Sequence, residues 1–146
     1  MPKNVPVTPI YATEDLGKIL QCEQEQIIDT VADLTEEQMN WKPNSTAKSA
    51  LDILYHLSHP QVPKPKPTTK KETIKRFNQA YDIIRAILET PGKLNETMVW
   101  WTGEEIPVRG FVWGTIRHRS YHLGELVYLR QAMGIDVPKY YHDDER

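Results

Sequence analysis

The 146 residues, 39% of them apolar, match one ordinary domain and suffice for a single sizeable core, so one domain is expected over residues 1–146. Eighteen Lys and Arg against twenty Asp and Glu leave a formal charge of −2, which excludes a global positive field for nucleic acid or an anionic membrane surface and favours small-molecule or protein partners. The single cysteine, Cys22, excludes an intrachain disulfide framework and fits a reducing cytoplasm.

The N-terminal arm, residues 1–12, is punctuated by prolines and holds no apolar run able to form the core of a secretory signal. No segment approaches the roughly 18 unbroken apolar residues of a membrane helix, and a soluble cytoplasmic protein is expected. Thr13 is placed to cap a first helix whose apolar positions Leu16, Leu20, Ile27, Val31 and Leu34 recur at helical spacing. Thr35 and Gln38 then form a capping-box pattern over a short helical turn, broken by Pro43 and Asn44. Ser45 is the expected cap of a second helix with Ala47, Ala50, Leu51, Leu54 and Leu57 on one side. Pro60 ends it by disfavouring a helical conformation at His59, which leaves His56 in the last turns.

The proline-spaced, basic stretch "PQVPKPKPTTK" reads as an extended, solvated connection. Thr69 and Glu72 form a capping box opening a third helix, with Ile74, Phe77, Tyr81, Ile84 and Leu88 as its buried stripe and Pro91 and Gly92 as its close. Thr97 to Gly110 reads as two short extended pieces around Thr102 to Glu105, a hairpin weakened by Pro107. A fourth helix is expected from Phe111 to Met133, with Gly134 as its stop and Pro138 beyond. The economical assembly is an all-α four-helix bundle, with a long crossover connection, carrying the short β-hairpin, between helices three and four.

The segment "IRHRSYHLGEL" holds the clearest chemical signal. Four helical residues advance about 6 Å and turn about 40° past a full circle, so His118 and His122 stand one above the other. They continue a stripe of Phe111, Thr115, Leu126, Leu129 and Met133, which points both imidazoles into the bundle. A divalent metal ion is one partner for buried imidazoles, and a third ligand on a facing helix would complete a three-histidine site with open positions. His56 is the best candidate for that ligand and His59 the reserve. The plainer alternative is a pair of hydrogen-bonded or surface histidines. Gly124 marks a place for close backbone approach or ligand access. Arg119 stands where the zinc-protease motif HExxH needs its glutamate, and the Glu-x-x-His pairs of di-iron bundles are absent, since Glu125 follows His122 in reversed order.

"LTEEQMNWKPNSTAKS", "LDILYHLSH" and "HRSYHLGELVYLRQAMGIDVP" together resemble the DinB-like (YfiT-like) superfamily, over about Asp15 to Pro138. The resemblance implies a four-helix bundle with a crossover connection, often a homodimer, carrying a metal on three histidines that map onto His56, His118 and His122. Characterised branches include thiol transferases using bacillithiol or related small thiols and a mycothiol-dependent isomerase, so small-thiol S-transferase-like chemistry is the implied activity. A small-molecule substrate, a low-molecular-weight thiol among them, and zinc or nickel follow. The family segment often reads HxxHHxGQ, whereas here Tyr121 replaces the second histidine, Leu123 follows His122 and Glu125 replaces the glutamine. None of these changes removes a ligand. The rival from another class is a non-catalytic metal-binding or structural bundle, and no catalytic residue is named.

Other residues carry two readings each. Glu125 is a ligand-orienting group or base, or an exposed helix glutamate. Trp100, Trp101 and Trp113 wall an apolar pocket beside the metal or pack the core. Cys22 is a redox or ligand residue, with a buried structural thiol the commoner role. Lys64, Lys66, Lys70, Lys71, Lys75 and Arg76 form a basic cluster expected to be solvated rather than to bind nucleic acid. The polar tail, residues 139–146 with Tyr140, Tyr141 and His142, fits disorder or a dimer contact.

Overall fold

A computed structural model describes residues 13–137; the N-terminal arm, Pro138 and the polar tail lie outside them. Among the described residues the chain is mostly helical, with a small antiparallel sheet. Helices α1 (Thr13–Val31), α2 (Glu36–Asn40), α3 (Ala50–Ser58) and α4 (Lys70–Glu89) precede strands β1 (Thr97–Val99) and β2 (Glu105–Pro107), and α5 (Val108–Ala132) follows. Both α1 and α3 pack against α4 and α5. No helix among the described residues is long and apolar enough to cross a membrane.

The expected α1 stripe is buried throughout, from Leu16 to Leu34. The Thr35–Gln38 capping box forms in full. The cap of α3 differs from expectation: it is Ser49, not Ser45. Ser49 Oγ accepts from the Asp52 N–H at 3.1 Å, and Asp52 Oδ2 accepts from the Ser49 N–H at 3.0 Å. Upstream, Asn44 Oδ1 accepts from the Thr46 and Ala47 N–H groups at 3.0 and 2.9 Å in a side-chain turn that leaves Ser45 exposed and outside the helix. At the other end His59 keeps helical angles, φ −58° and ψ −41°. Pro60 therefore stops α3 through its missing N–H and not by excluding His59 from the helical region.

The box expected at Thr69 is half-formed. Thr69 Oγ1 accepts from the Glu72 N–H at 3.2 Å, but the Glu72 carboxylate accepts from Arg76 Nε at 3.2 Å, because an i,i+4 arginine offers a charged donor. Glu36, from α2, caps a further donor of this helix by accepting from the Lys70 N–H at 3.0 Å. The proline-rich connection is extended yet anchored: Lys66 pairs with Asp52, Arg76 donates to the Pro65 carbonyl, and Val62 is buried.

The hairpin pairs Thr97 with Pro107 and Val99 with Glu105 around Gly103, whose φ of +88° suits the residue without a side chain. Pro107 fits because it ends its strand and is at once the cap of α5, which begins at Val108 and not at Phe111. At the far end Gly134 adopts φ +76°, and the Ile135 N–H donates to the Arg130 carbonyl at 3.0 Å, the expected glycine stop.

The core falls into two apolar clusters. One holds Ile27, Val31, Leu54, Phe77, Leu126 and their neighbours; the other holds Leu16, Leu20, Ile84, Val112 and Ile116. Along α1 and α5 the switch between them occurs at Glu23, Gln24, Arg119 and His122, four buried polar residues forming a layer across the interior. The nine residues of α3 span about 13 Å against about 37 Å for the 25 of α5. Pro60 thus leaves part of the α5 face to be covered by the hairpin, and a cavity of about 540 Å³ remains between Leu57, Trp100 and His118.

Candidate metal centre

Successive turns of α5 bring His118 and His122 together, and α3 presents His56 from across the interface. Their Nε2 atoms converge: His118 Nε2 lies 3.1 Å from His56 Nε2 and 3.0 Å from His122 Nε2. Among the described residues these are the histidine, cysteine and carboxylate side chains whose donor atoms cluster tightly, all within 4.8 Å of one another. With zinc–nitrogen bonds of about 2.0–2.1 Å at tetrahedral angles, bound imidazole nitrogens stand about 3.3 Å apart. The observed spacing is close to that.

Hydrogen bonding within the protein does not account for the cluster as well. One Nε2 hydrogen on His118 cannot lie along the directions to both neighbours at once. On the far side of His122, Nδ1 lies 3.0 Å from Glu125 Oε1. The two atoms are close but poorly aligned for a hydrogen bond, and Nδ1 has no other partner. The carboxylate favours the tautomer protonated at Nδ1, which leaves the Nε2 lone pair of His122 facing the other two rings. Burial lowers the pKa of all three imidazoles below the ordinary 6.5. Lys48 acts in the same direction on each, while the Glu125 carboxylate opposes the shift. Three clustered imidazoles of this kind could hold a divalent metal ion.

The placement of the rings departs from the sequence expectation. The buried face of α5 runs through Val112, Ile116, Arg119, His122 and Leu126, whereas Phe111 and Thr115 are half-buried and His118 is exposed. His122 alone of the α5 pair enters the interior. The reason is Arg119, which occupies a core position that an apolarity count assigns to solvent. Its Nε donates to Glu23 Oε1 at 3.1 Å, its Nη2 donates to Gln24 Oε1, and the guanidinium lies 4.6 Å over the Phe77 ring. The Ser120 hydroxyl donates to the other Glu23 oxygen. Burial pushes the Glu23 carboxyl up further than Ser120 and Arg119 draw it down, and burial lowers the Arg119 guanidinium. The available sequence signal was spacing: Val112, Ile116, Arg119 and Leu126 recur at intervals of four, three and seven residues.

His59, the reserve ligand, lies outside the cluster: it is exposed, with its ring 5.2 Å from that of Tyr55. Cys22 is also exposed, because it falls on the outer face of α1 between buried Leu20 and Glu23, so it is not a buried structural thiol. Trp100 and Trp101 line the cavity beside His118, but Trp113 packs against the apolar cluster containing Leu16 and Val112. Gly124 makes no close backbone approach, since a Cβ there would meet nothing within 4 Å; it borders a polar cleft with Lys48, Tyr121 and Glu125. Within the basic cluster, Lys70 Nζ donates to the Leu34 carbonyl at 2.7 Å and Lys66 and Arg76 are committed as described above, so those cations serve the fold.

No family model, curated protein or solved structure matches this chain.

Proposed function

We propose that the protein is a metal-dependent enzyme in which His56, His118 and His122 hold a divalent ion, zinc or nickel, that activates a thiol or water, with small-thiol S-transferase-like chemistry. The observation that carries this reading is the convergence of the three Nε2 atoms at 3.0 and 3.1 Å. Such an ion supplies Lewis acidity that lowers the pKa of a thiol or water beside it. The chain's own residues do the rest. Glu125 favours the Nδ1-protonated tautomer of His122 from behind, the Glu23–Arg119 pair holds the α5 turn between the two ligands, and α3 sets His56 opposite them. His118, bordering a cavity, gives the centre access to a small molecule, which favours catalysis over a structural role. The packing of α1 and α3 against α4 and α5 supports a four-helix bundle of the DinB-like kind, and the same resemblance implies a homodimer.

The test is metal content by elemental analysis of untagged protein, with His118→Ala beside the wild type. Near-stoichiometric zinc or nickel, lost in the variant, is the expected result. A wild-type protein that neither contains nor takes up these metals would refute the centre. Thiol-transfer and hydrolysis assays before and after chelation then separate an enzyme from a bundle in which metal removal lowers only the melting temperature.

A further inference from the structure

We infer that the cavity beside His118 is the binding site of an apolar, aromatic-sized substrate, so that the proposed reaction acts on a hydrophobic molecule and Gly114 keeps its entrance open. That this ligand is delivered to a reactive centre rests on the three-histidine reading; its chemical class rests on the cavity alone.

The cavity exists because α3 stops at Pro60 and the hairpin covers α5 only at a distance. Its volume of about 540 Å³ lies in the range of small-molecule sites. Leu57, Met98, Trp100 and Phe111 supply its walls, with the Trp100 and Phe111 rings 6.0 Å apart and inclined at 63°. Edge-to-face ring surfaces of this kind stack well against a flat apolar ligand.

The wall has few polar side chains, and of these Gln61 is half-buried with its amide open to a ligand, while Thr115 and most of Arg119 are engaged. Thr115 Oγ1 donates to the Phe111 carbonyl at 2.9 Å. Arg119 faces Glu23 and Gln24; its remaining Nη1 has no hydrogen-bond partner but also essentially no exposed surface. A hydrophilic ligand would lose its hydration here and find few replacement hydrogen bonds. His118 lies in the wall and belongs to the cluster, so a ligand in the cavity lies against one of the three rings. Trp101 is 84% exposed and Val99 66% exposed, at the hairpin end that borders the opening. Large apolar side chains left in water at a cavity mouth lose exposed surface when an apolar ligand arrives.

Two glycines of α5 make the test clean. Gly114 borders this cavity and Gly124 borders the polar cleft beside Glu125. A Cβ built at either would meet nothing within 4 Å, and both residues are helical, so a side chain can start from either position without a backbone clash, and Gly114→Leu and Gly124→Leu are the variants to compare. The experiment titrates the neutral fluorophore N-phenyl-1-naphthylamine into wild-type protein and both variants, reading energy transfer from tryptophan, with metal content measured on the same samples. Saturable one-to-one binding is expected in the wild type and in Gly124→Leu. In Gly114→Leu the affinity should fall by about tenfold or more as the side chain occupies ligand volume. Binding that is unsaturable, or unchanged in Gly114→Leu, would overturn the site. Metal content is expected to be equal in all three proteins. Probe binding blocked by Gly114→Leu in a protein that takes up no metal would uphold the cavity's ligand class while defeating the metal-centre reading.

Discussion

Glu125 Oε1 stands 3.0 Å from His122 Nδ1, placing a carboxylate behind the one clustered imidazole that is buried. A sequence reading leaves this glutamate open between a ligand-orienting group or base and an exposed helix residue, because a separation of three along a helix does not reveal which way either side chain turns. If it orients the ring, Glu125→Ala should weaken zinc binding by about 10- to 100-fold, the usual cost of losing such a partner. The measurement is competition against a chromophoric chelator. Thermal stability of the metal-free protein should change little, since the Glu125 side chain is 37% exposed. An unchanged affinity would remove Glu125 from the centre.

The reserve ligand offers a control. His59→Ala should leave metal content and the metal-induced rise in melting temperature unchanged, whereas His56→Ala should abolish the rise. At a free metal concentration of 100 times Kd that rise corresponds to about 2.7 kcal/mol of added stability. Differential scanning fluorimetry with and without zinc checks it, and equal loss in both variants would contradict the cluster.

The buried pair in the polar layer is asymmetric in its consequences. Arg119→Met leaves Glu23, 5% exposed, without its cation, and should destabilise the protein by about 3–5 kcal/mol. Arg119→Met combined with Glu23→Leu should recover most of that loss, because two apolar groups need no partner. Urea denaturation of the three proteins gives the comparison, and a double variant as unstable as the single one would show that the layer contributes more than charge pairing.

Asp52 predicts an acid limb of stability. Burial would raise its carboxyl, but hydrogen bonds from Lys66 and Ser49 outweigh burial and hold it well below the ordinary 3.8. A carboxylate depressed in the folded state adds stability that is fully present above its unfolded pKa and is lost as pH falls through the folded value. Wild-type stability should therefore decline below about pH 4, and Asp52→Asn should flatten part of that decline while lowering stability at neutral pH. Equilibrium unfolding from pH 7 to pH 2 tests this, and parallel curves for the two proteins would count against it.

The start of α3 can be tested in the same way. Ser49→Ala should cost about 1 kcal/mol through loss of the cap, while Ser45→Ala, on an exposed turn, should stay within about 0.5 kcal/mol of wild type. Denaturation midpoints decide between the two serines.

Local sequence marks the α1 stripe, the hairpin around Thr102 to Glu105 and the stop at Gly134; of the expected α4 stripe Phe77, Ile84 and Leu88 are buried, whereas Ile74 and Tyr81 are half-buried and Thr73 and Ala80 take the interior beside them. The three candidate ligands were also legible as types and spacings: an i,i+4 pair on one helix and a lone histidine near the end of another. Spacing cannot give the rotation of a helix about its own axis when a charged side chain is buried. Arg119 took the interior position through Glu23 and Gln24, residues almost a hundred positions away, and turned His118 toward the cavity. The cap of α3 is Ser49 and not Ser45, because Ser49 and Asp52 satisfy each other's backbone donors in a full capping box, and cap propensity alone does not rank two serines four residues apart.

The sequence by itself determined which segments become helices, where glycine and proline end them, and which imidazoles are available, since these follow from local backbone and side-chain chemistry. Only the tertiary structure decided that His56 meets His118 and His122, that Glu125 stands behind one of them, and that a short α3 leaves an apolar cavity beside the cluster. Those relationships depend on the packing of α3 against α5 and on a buried ion pair, whose energies arise between residues far apart in the chain.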